Sequence, residues 1–205
     1  MAQNIGRLSM ASTGSSLARR PPILERNLGQ KGKSGEVSLS AYAFLFAEMM
    51  QYTQKRVNGI QDFEKKLSDF GYRVGIRTLE LTVWRERNAR RETRVLGVLS
   101  FIHSTIWKTL FAKQADALEK STEQEDEYMI SDNEPPISKF ISIPKEMSQL
   151  NASAFVAGIV EAILDGCGFP SRVSAHSTGT DAFPQRTTIL IKFDPSVIQR
   201  ERGFS

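Results

Sequence analysis

The sequence has few of the residues from which catalytic and metal centres are built. It holds one cysteine, Cys167, and two histidines, His103 and His176, among 205 residues. A single thiol excludes an internal disulfide framework and any site with several cysteine ligands, as is common in reducing compartments. The sequence also contains no glycine-rich phosphate loop and no HExxH motif. We therefore expect no catalytic residue, no metal and no cofactor.

Long hydrophobic runs and a basic folded region are missing too. The most apolar stretch, AYAFLFAEMM, is about half of the ~20 residues of a membrane span and includes Glu48. The net charge of +4 arises in the first 34 residues, where six basic residues face one acid, and the remainder sums to −1. The basic isoelectric point thus gives little support to nucleic-acid binding.

The chain divides into a tail and one domain. Residues 1–34 are rich in serine, glycine and arginine, so we expect a mostly disordered basic tail. Its lack of acids before Glu25 is also typical of a mitochondrial transit peptide, although no apolar stripe accompanies the arginines. A single domain is expected over 35–200, followed by a C-terminal tail of 201–205.

Apolar spacing predicts a first helix that is apolar nearly all round. Ser38 or Ser40 can cap it, and Phe44, Leu45 and Tyr52 lie off its main apolar face. Such a helix needs a second cover. Three alternatives would cover it: another protein, the rest of this domain, or a cofactor bound in a methionine-lined pocket. The main face consists of Leu39, Tyr42, Phe46, Met49 and Met50.

Two further helices follow. The second starts near Ile60, and either it breaks at Gly71 or its later half is buried on two faces. The third is expected over 91–113. Between them lies the arginine-rich stretch WRERNARRET, which is open to three interpretations: a solvated connector, an ion-pairing surface for a partner protein, or a nucleic-acid contact. No aromatic platform beyond Trp84 accompanies the arginines, which counts against nucleic acid.

The second half of the chain alternates strands with a helix. The acid-rich QADALEKSTEQEDEYM is expected to be a mobile linker, and EYMIS and ISKFISI a β-hairpin across DNEPP. Asn151 caps a helix that Gly166 ends, and RVSAHS and TTILIKF are strands. The fold class is therefore α+β, with helices packed on a small antiparallel sheet of about four strands.

The chemistry-bearing side chains have plain structural interpretations. We expect His103 to be packed on an apolar helix face and His176 to lie on the sheet surface. Cys167 stands between two glycines beyond a helix end, and no histidine is placed by spacing to activate it.

Several motifs resemble the Bet-three-like family of transport protein particle (TRAPP) subunits: GKSGEVSLSAYAFLFAEMMQYTQ, DFGYRVGIRTLE, RNARRETRVLGVLSFI and ISIPKEMSQLNASAFVAGIVEAILDGCGFPSRVSAH. The resemblance covers roughly residues 24–200. It implies a non-catalytic scaffold in a vesicle-tethering complex that exchanges guanine nucleotide on a Rab GTPase in endoplasmic-reticulum-to-Golgi transport. It further implies a cytoplasmic protein, peripheral at endoplasmic reticulum and cis-Golgi membranes.

The implied partners are other TRAPP subunits, among them a Bet-three-like heterodimer partner and a longin-type neighbour. Rab and membrane contacts would come through the complex, with no nucleic acid. The family's founding member carries an acylated cysteine near the end of its second helix, but residues 84–92 contain none here, so acylation is not carried over.

We expect the heterodimer interface on the first two helices, at Leu39, Tyr42, Phe46, Met49, Met50, Phe63 and Leu67. The alternative function is an independent ligand-binding or nucleic-acid-binding module that uses the arginines of 85–94.

Deletion of residues 1–22 is expected to leave folding unchanged, because this segment has little apolar surface to bury. Thermal unfolding followed by circular dichroism checks this. A melting temperature that falls by more than a few degrees would show that the segment packs.

Overall fold

The computed structural model describes residues 38–86 and 91–203. The tail expected over 1–34 therefore lies outside the described residues, as does the centre of the arginine-rich stretch, 87–90.

Two helices open the described chain. α1 spans Leu39–Gln54, and the Ser38 hydroxyl accepts a hydrogen bond from the Ala41 amide at 3.2 Å, which confirms Ser38 as its cap. α2 spans Ile60–Arg85 without interruption. Gly71 therefore does not break the helix.

Glycines bring α2 against α5, which spans Ala154–Cys167. A Cβ atom at position 71 would lie 1.9 Å from the carbonyl oxygen of Phe155, and one at position 158 would lie 2.0 Å from that of Ser68. Both distances are far inside van der Waals contact, so only glycine permits this backbone approach. The glycines of the two helices thus set the distance between them.

α5 is the central helix of the domain. Its residues from Ala154 to Val160 are all buried, between α2 on one side and the sheet on the other. The helix ends at Gly168, in a left-handed conformation with φ of 82°, rather than at the predicted Gly166. Asn151 stands before the helix, where its side chain accepts from the Ser153 amide at 2.9 Å, and Ser153 holds the cap position instead.

Four antiparallel strands form one sheet in the order β1-β2-β4-β3. They are β1 (Ala117–Lys120), β2 (Glu127–Asp132), β3 (Ser171–Ser177) and β4 (Thr187–Phe193). Helices packed on a four-stranded antiparallel sheet confirm the predicted α+β class.

The predicted hairpin is wrong. β2 forms as expected, but ISKFISI forms turns and loop instead of a strand. β2 pairs with β4 on one side and on the other with β1, which lies inside the stretch expected to be a mobile linker. Pro135, Pro136 and Pro144 flank the failed segment and remove ladder donors there.

The third helix is shorter than expected and changes geometry. α3 (Val95–Ser100) continues into a π-helical segment (Phe101–Ile106) and then α4 (Trp107–Phe111). The Trp107 indole donates to the buried carboxylate of Asp132 at 3.0 Å, and Lys113 pairs with the same group. These contacts connect the end of this helix to β2.

The last helix, α6 (Pro195–Arg202), extends beyond the predicted domain end. Asp194 caps it by accepting from the Ser196 amide at 2.9 Å. Glu201 was assigned to a C-terminal tail but is part of this helix.

Gly71→Ala should destabilise the fold by about 3 kcal/mol, because the new methyl group forces α2 away from the Phe155 carbonyl. Urea unfolding measures the change. Gly59→Ala is the matched control, since a Cβ there meets nothing within 4 Å. A Gly71→Ala protein at least as stable as the parent would contradict the close contact, because alanine otherwise gains up to ~1 kcal/mol in a helix interior.

Candidate functional site

The outer face of α1 exposes large apolar side chains. Phe44 is 76% exposed and Leu45 is 71% exposed, and both lie in the middle of the helix rather than at a frayed end. Tyr52 adds exposed apolar area on the same side as Leu45, whereas Leu39 is exposed on a different side of the helix, at its start. A contiguous patch of this kind marks a protein–protein interface more often than a free surface.

The apolar face continues from α1 onto α2. The rings of Tyr52 and Phe70 lie 6.5 Å apart, and Val74 and Leu81 follow Phe70 on the same side of α2 at helical spacing. The guanidinium of Arg56 stacks 3.7 Å from the centre of the Tyr52 ring and borders the face with a positive charge. We call the exposed residues Phe44, Leu45, Tyr52, Val74 and Leu81 the α1–α2 face.

The predicted interface residues lie in three environments: exposed, half-buried and buried. Leu39 is exposed, whereas Tyr42, Met49 and Met50 are half-buried. The remaining three are buried in the core of this chain: Phe46, Phe63 and Leu67.

Because these three side chains are buried, a partner protein cannot contact them directly. The Phe46 ring packs edge-on against Phe155 of α5 at 5.5 Å, so a partner could reach it only by opening the core. The sequence pattern predicts Phe46 in the interface because apolar spacing does not tell which apolar face of a helix packs against its own core. The outward face is the one carrying Phe44 and Leu45.

An apolar hollow of about 230 Å³ lies beside α1. Met50 and Phe63 form one wall, and Met147 and Leu150 form another. Phe140 stands at this hollow, 53% exposed, in the segment predicted to be a strand. The sequence pattern places Phe140 in a strand, where an apolar residue is expected to face the core, so it does not predict a site at this position.

The arginine-rich stretch has a structural function at its end. The Arg94 side chain donates to Glu201 of α6 at 2.8 Å, and the other oxygen of Glu201 accepts from the Val95 amide at 3.1 Å. Burial opposes ionisation of Glu201, but these bonds outweigh it and hold its pKa below the usual range. An acid of the chain itself therefore compensates the N-terminal end of α3.

Cys167, His103 and His176 belong to three different elements. Burial raises the pKa of the Cys167 thiol, which opposes formation of a nucleophilic thiolate. His176 lies exposed on β3, as predicted, and its Nε2 is 2.8 Å from the Ser174 hydroxyl. His103 is half-buried in the π-helical segment.

In residues 38–86 and 91–203, no three histidine, cysteine or acidic side chains converge as metal ligands. Within those ranges, no helix combines the length and apolar character needed to cross a bilayer.

Residues 42–194 match the family model of the transport protein particle (TRAPP) component. Trafficking protein particle complex subunit 5 of Dictyostelium discoideum is 57% identical over 87% of this chain and 95% of that protein. The subunit 5 of Homo sapiens is 45% identical over 88% of this chain and 92% of that protein.

Similarity to a solved structure supports the fold. The crystal structure of a trafficking protein particle complex subunit 3 from Naegleria fowleri, covalently bound to palmitic acid, aligns with a TM-score of 0.64. It covers 76% of this chain and 95% of that chain at 17% identity. The family match and the close relatives both extend over most of the sequence, and the chain belongs to the family of transport protein particle (TRAPP) components.

Proposed function

We propose that this chain is a non-catalytic subunit of a TRAPP vesicle-tethering complex, in which its α1–α2 face pairs with a helical face of another Bet-three-like subunit. The relatives that match over most of the chain are named as subunits of the trafficking protein particle complex. The observation that carries the proposal is the exposure of Phe44 and Leu45 in the middle of α1. Stable interfaces bury ~800 Å² per partner and centre on large apolar anchors of this kind.

The complex would act in endoplasmic-reticulum-to-Golgi transport, where this subunit supports guanine-nucleotide exchange on a Rab GTPase without contributing catalytic groups. It would be cytoplasmic and reach endoplasmic reticulum and cis-Golgi membranes through the assembly. A longin-type subunit would be its second neighbour. Cys167, the single cysteine, lies at the end of α5 rather than α2, so we assign no covalent acyl group to the chain.

Phe44→Asp should weaken association with the heterodimer partner by at least about 2 kcal/mol, roughly 30-fold, because the charge must be buried unpaired at the interface. The melting temperature should stay unchanged, since the side chain is exposed in this chain. Co-purification of coexpressed full-length subunits and titration of the purified partners measure the effect.

Leu96→Asp is the matched control, because Leu96 is 62% exposed but lies on α3, outside the α1–α2 face. Phe46→Asp is expected to unfold the chain, because that ring is in the core. A Phe44→Asp protein that keeps both its fold and its full affinity for every family partner would exclude this face as the interface.

Loss of this subunit should also slow nucleotide exchange. Complexes reconstituted with the Phe44→Asp chain are expected to lack the subunit and to release fluorescent GDP from the Rab more slowly than complexes with the Leu96→Asp chain. An unchanged release rate in complexes shown to lack the subunit would contradict its supporting role in exchange.

A further inference from the structure

β3 forms one edge of the sheet. It spans seven residues, SRVSAHS, with no proline and no lysine, and it pairs with β4 in continuous register. The opposite edge, β1, is four residues long and ends in Glu119 and Lys120. Natural sheets usually protect their edges by short strands, charges or proline; β1 is short and ends in two charged residues, whereas β3 is longer and has Arg172 as its one charged residue.

The hydrogen-bond register shows which backbone groups of β3 are open. The Thr178 amide donates to Arg186 at 3.0 Å, and the Asp194 amide donates to Pro170 at 3.0 Å. In an antiparallel pair, bonded positions recur every two residues, so the even-numbered residues of β3 bond to β4. Val173, Ala175 and Ser177 therefore direct their amides and carbonyls away from the sheet. In the described part of the chain, no backbone group bonds to them.

A cleft of about 640 Å³ runs along this open edge. β3 contributes residues 173–177 to its lining, α2 contributes side chains between Gln61 and Tyr72, and α5 contributes side chains between Ala154 and Glu161. The cleft lies on a different face of α2 from Phe70 and Val74, because residues 68 and 70 point in nearly opposite directions on a helix. It is therefore separate from the α1–α2 face.

The cleft is acidic. Glu64, Asp69 and Glu161 line it together with Lys65. Glu64 is already engaged, since it accepts from the Asn151 amide at 2.8 Å. Asp69 and Glu161 form the acidic end, and Asp165 lies close enough to add to their repulsion.

Arg172 of β3 supplies positive charge to this acidic end. Burial, then the neighbouring charge of Asp165, raises the pKa of Glu161 above its usual range, and Arg172 opposes this only in part. The Tyr72 hydroxyl donates to Asp165 at 3.0 Å but supplies no charge. A cation placed here would relieve the repulsion between the carboxylates.

We propose that β3 and this cleft bind an extended basic segment of a partner protein, which adds as a further strand beside β3 and places a lysine or arginine at Asp69 and Glu161. Strand addition gives affinity through backbone hydrogen bonds and specificity through alternate side chains. The inference goes beyond the heterodimer proposed above and does not depend on it, because the two surfaces lie on different faces of α2.

Two measurements on the full-length chain test the proposal. The probe is a fluorescein-labelled extended peptide that alternates valine with lysine, compared with the same peptide carrying glutamate for lysine. Fluorescence anisotropy should show saturable binding of the lysine peptide at least tenfold tighter than that of the glutamate peptide. Hydrogen exchange should then slow at the amides of Val173, Ala175 and Ser177 when the lysine peptide is bound.

Variants separate the contribution of backbone hydrogen bonds to peptide binding from the contribution of charge. Ala175→Pro removes an outward amide without breaking a bond to β4. It should therefore weaken binding of the lysine peptide at least tenfold and leave the melting temperature unchanged. Asp69→Lys, at an exposed position, should weaken it by a similar factor. Glu119→Lys is the matched control, because it makes the same kind of charge reversal on β1 at the far edge of the sheet.

The outcomes are distinguishable. Equal binding of the two peptides, or binding unchanged by both Ala175→Pro and Asp69→Lys, would overturn the proposal. Without peptide, the β3 amides could also be protected from hydrogen exchange, with a protection that increases with protein concentration. This result would overturn the proposal as well, since a second copy of the chain would then occupy the edge. A failure of heterodimer formation would leave these results unaffected.

Discussion

The backbone contact between α2 and α5 is the constraint on which the other elements depend. At Gly71 and Gly158 no side chain separates the two helices, so each backbone lies directly against a carbonyl group of the other helix at these positions. α5 can then fill the space between α2 and the sheet, and its buried residues supply the centre of the core. A wider spacing would leave a gap along α5 that the small residues of this helix could not fill, and interiors tolerate such gaps poorly.

This arrangement leaves α2 with two functional sides. One side supports α1, and the exposed apolar area of both helices forms the α1–α2 face. Another side forms the wall of the cleft beside β3. A domain of this size has one core, and it cannot bury both the outer face of α1 and its own sheet edge. Within the described residues these two surfaces remain uncovered, and they are the ones at which we propose contacts with partners.

Particular residues show how far sequence reasoning reached. Ser38 is one of the two caps that the sequence predicts, and β3 and β4 are predicted as strands, because capping and alternation are local signals. The hairpin failed because the partners of β2 are distant in sequence or weak in pattern: β4 follows α5, and β1 has only the residues ALEK. Phe46, Phe63 and Leu67 were assigned to a surface although they are core, since periodicity identifies apolar faces without ranking them.

The sequence by itself determined α1, α2 and α5, three of the four strands of the described sheet, the α+β class and the family. These properties depend on local spacing and on extended motifs, which are written along the chain. Only the tertiary structure decided that Gly71 is a contact point rather than a break, that Phe44 and Leu45 face outward, and that β3 lies at an open edge beside an acidic cleft. Each of these depends on which distant segment packs alongside, and a long-range contact of that kind leaves no periodic signal in the sequence.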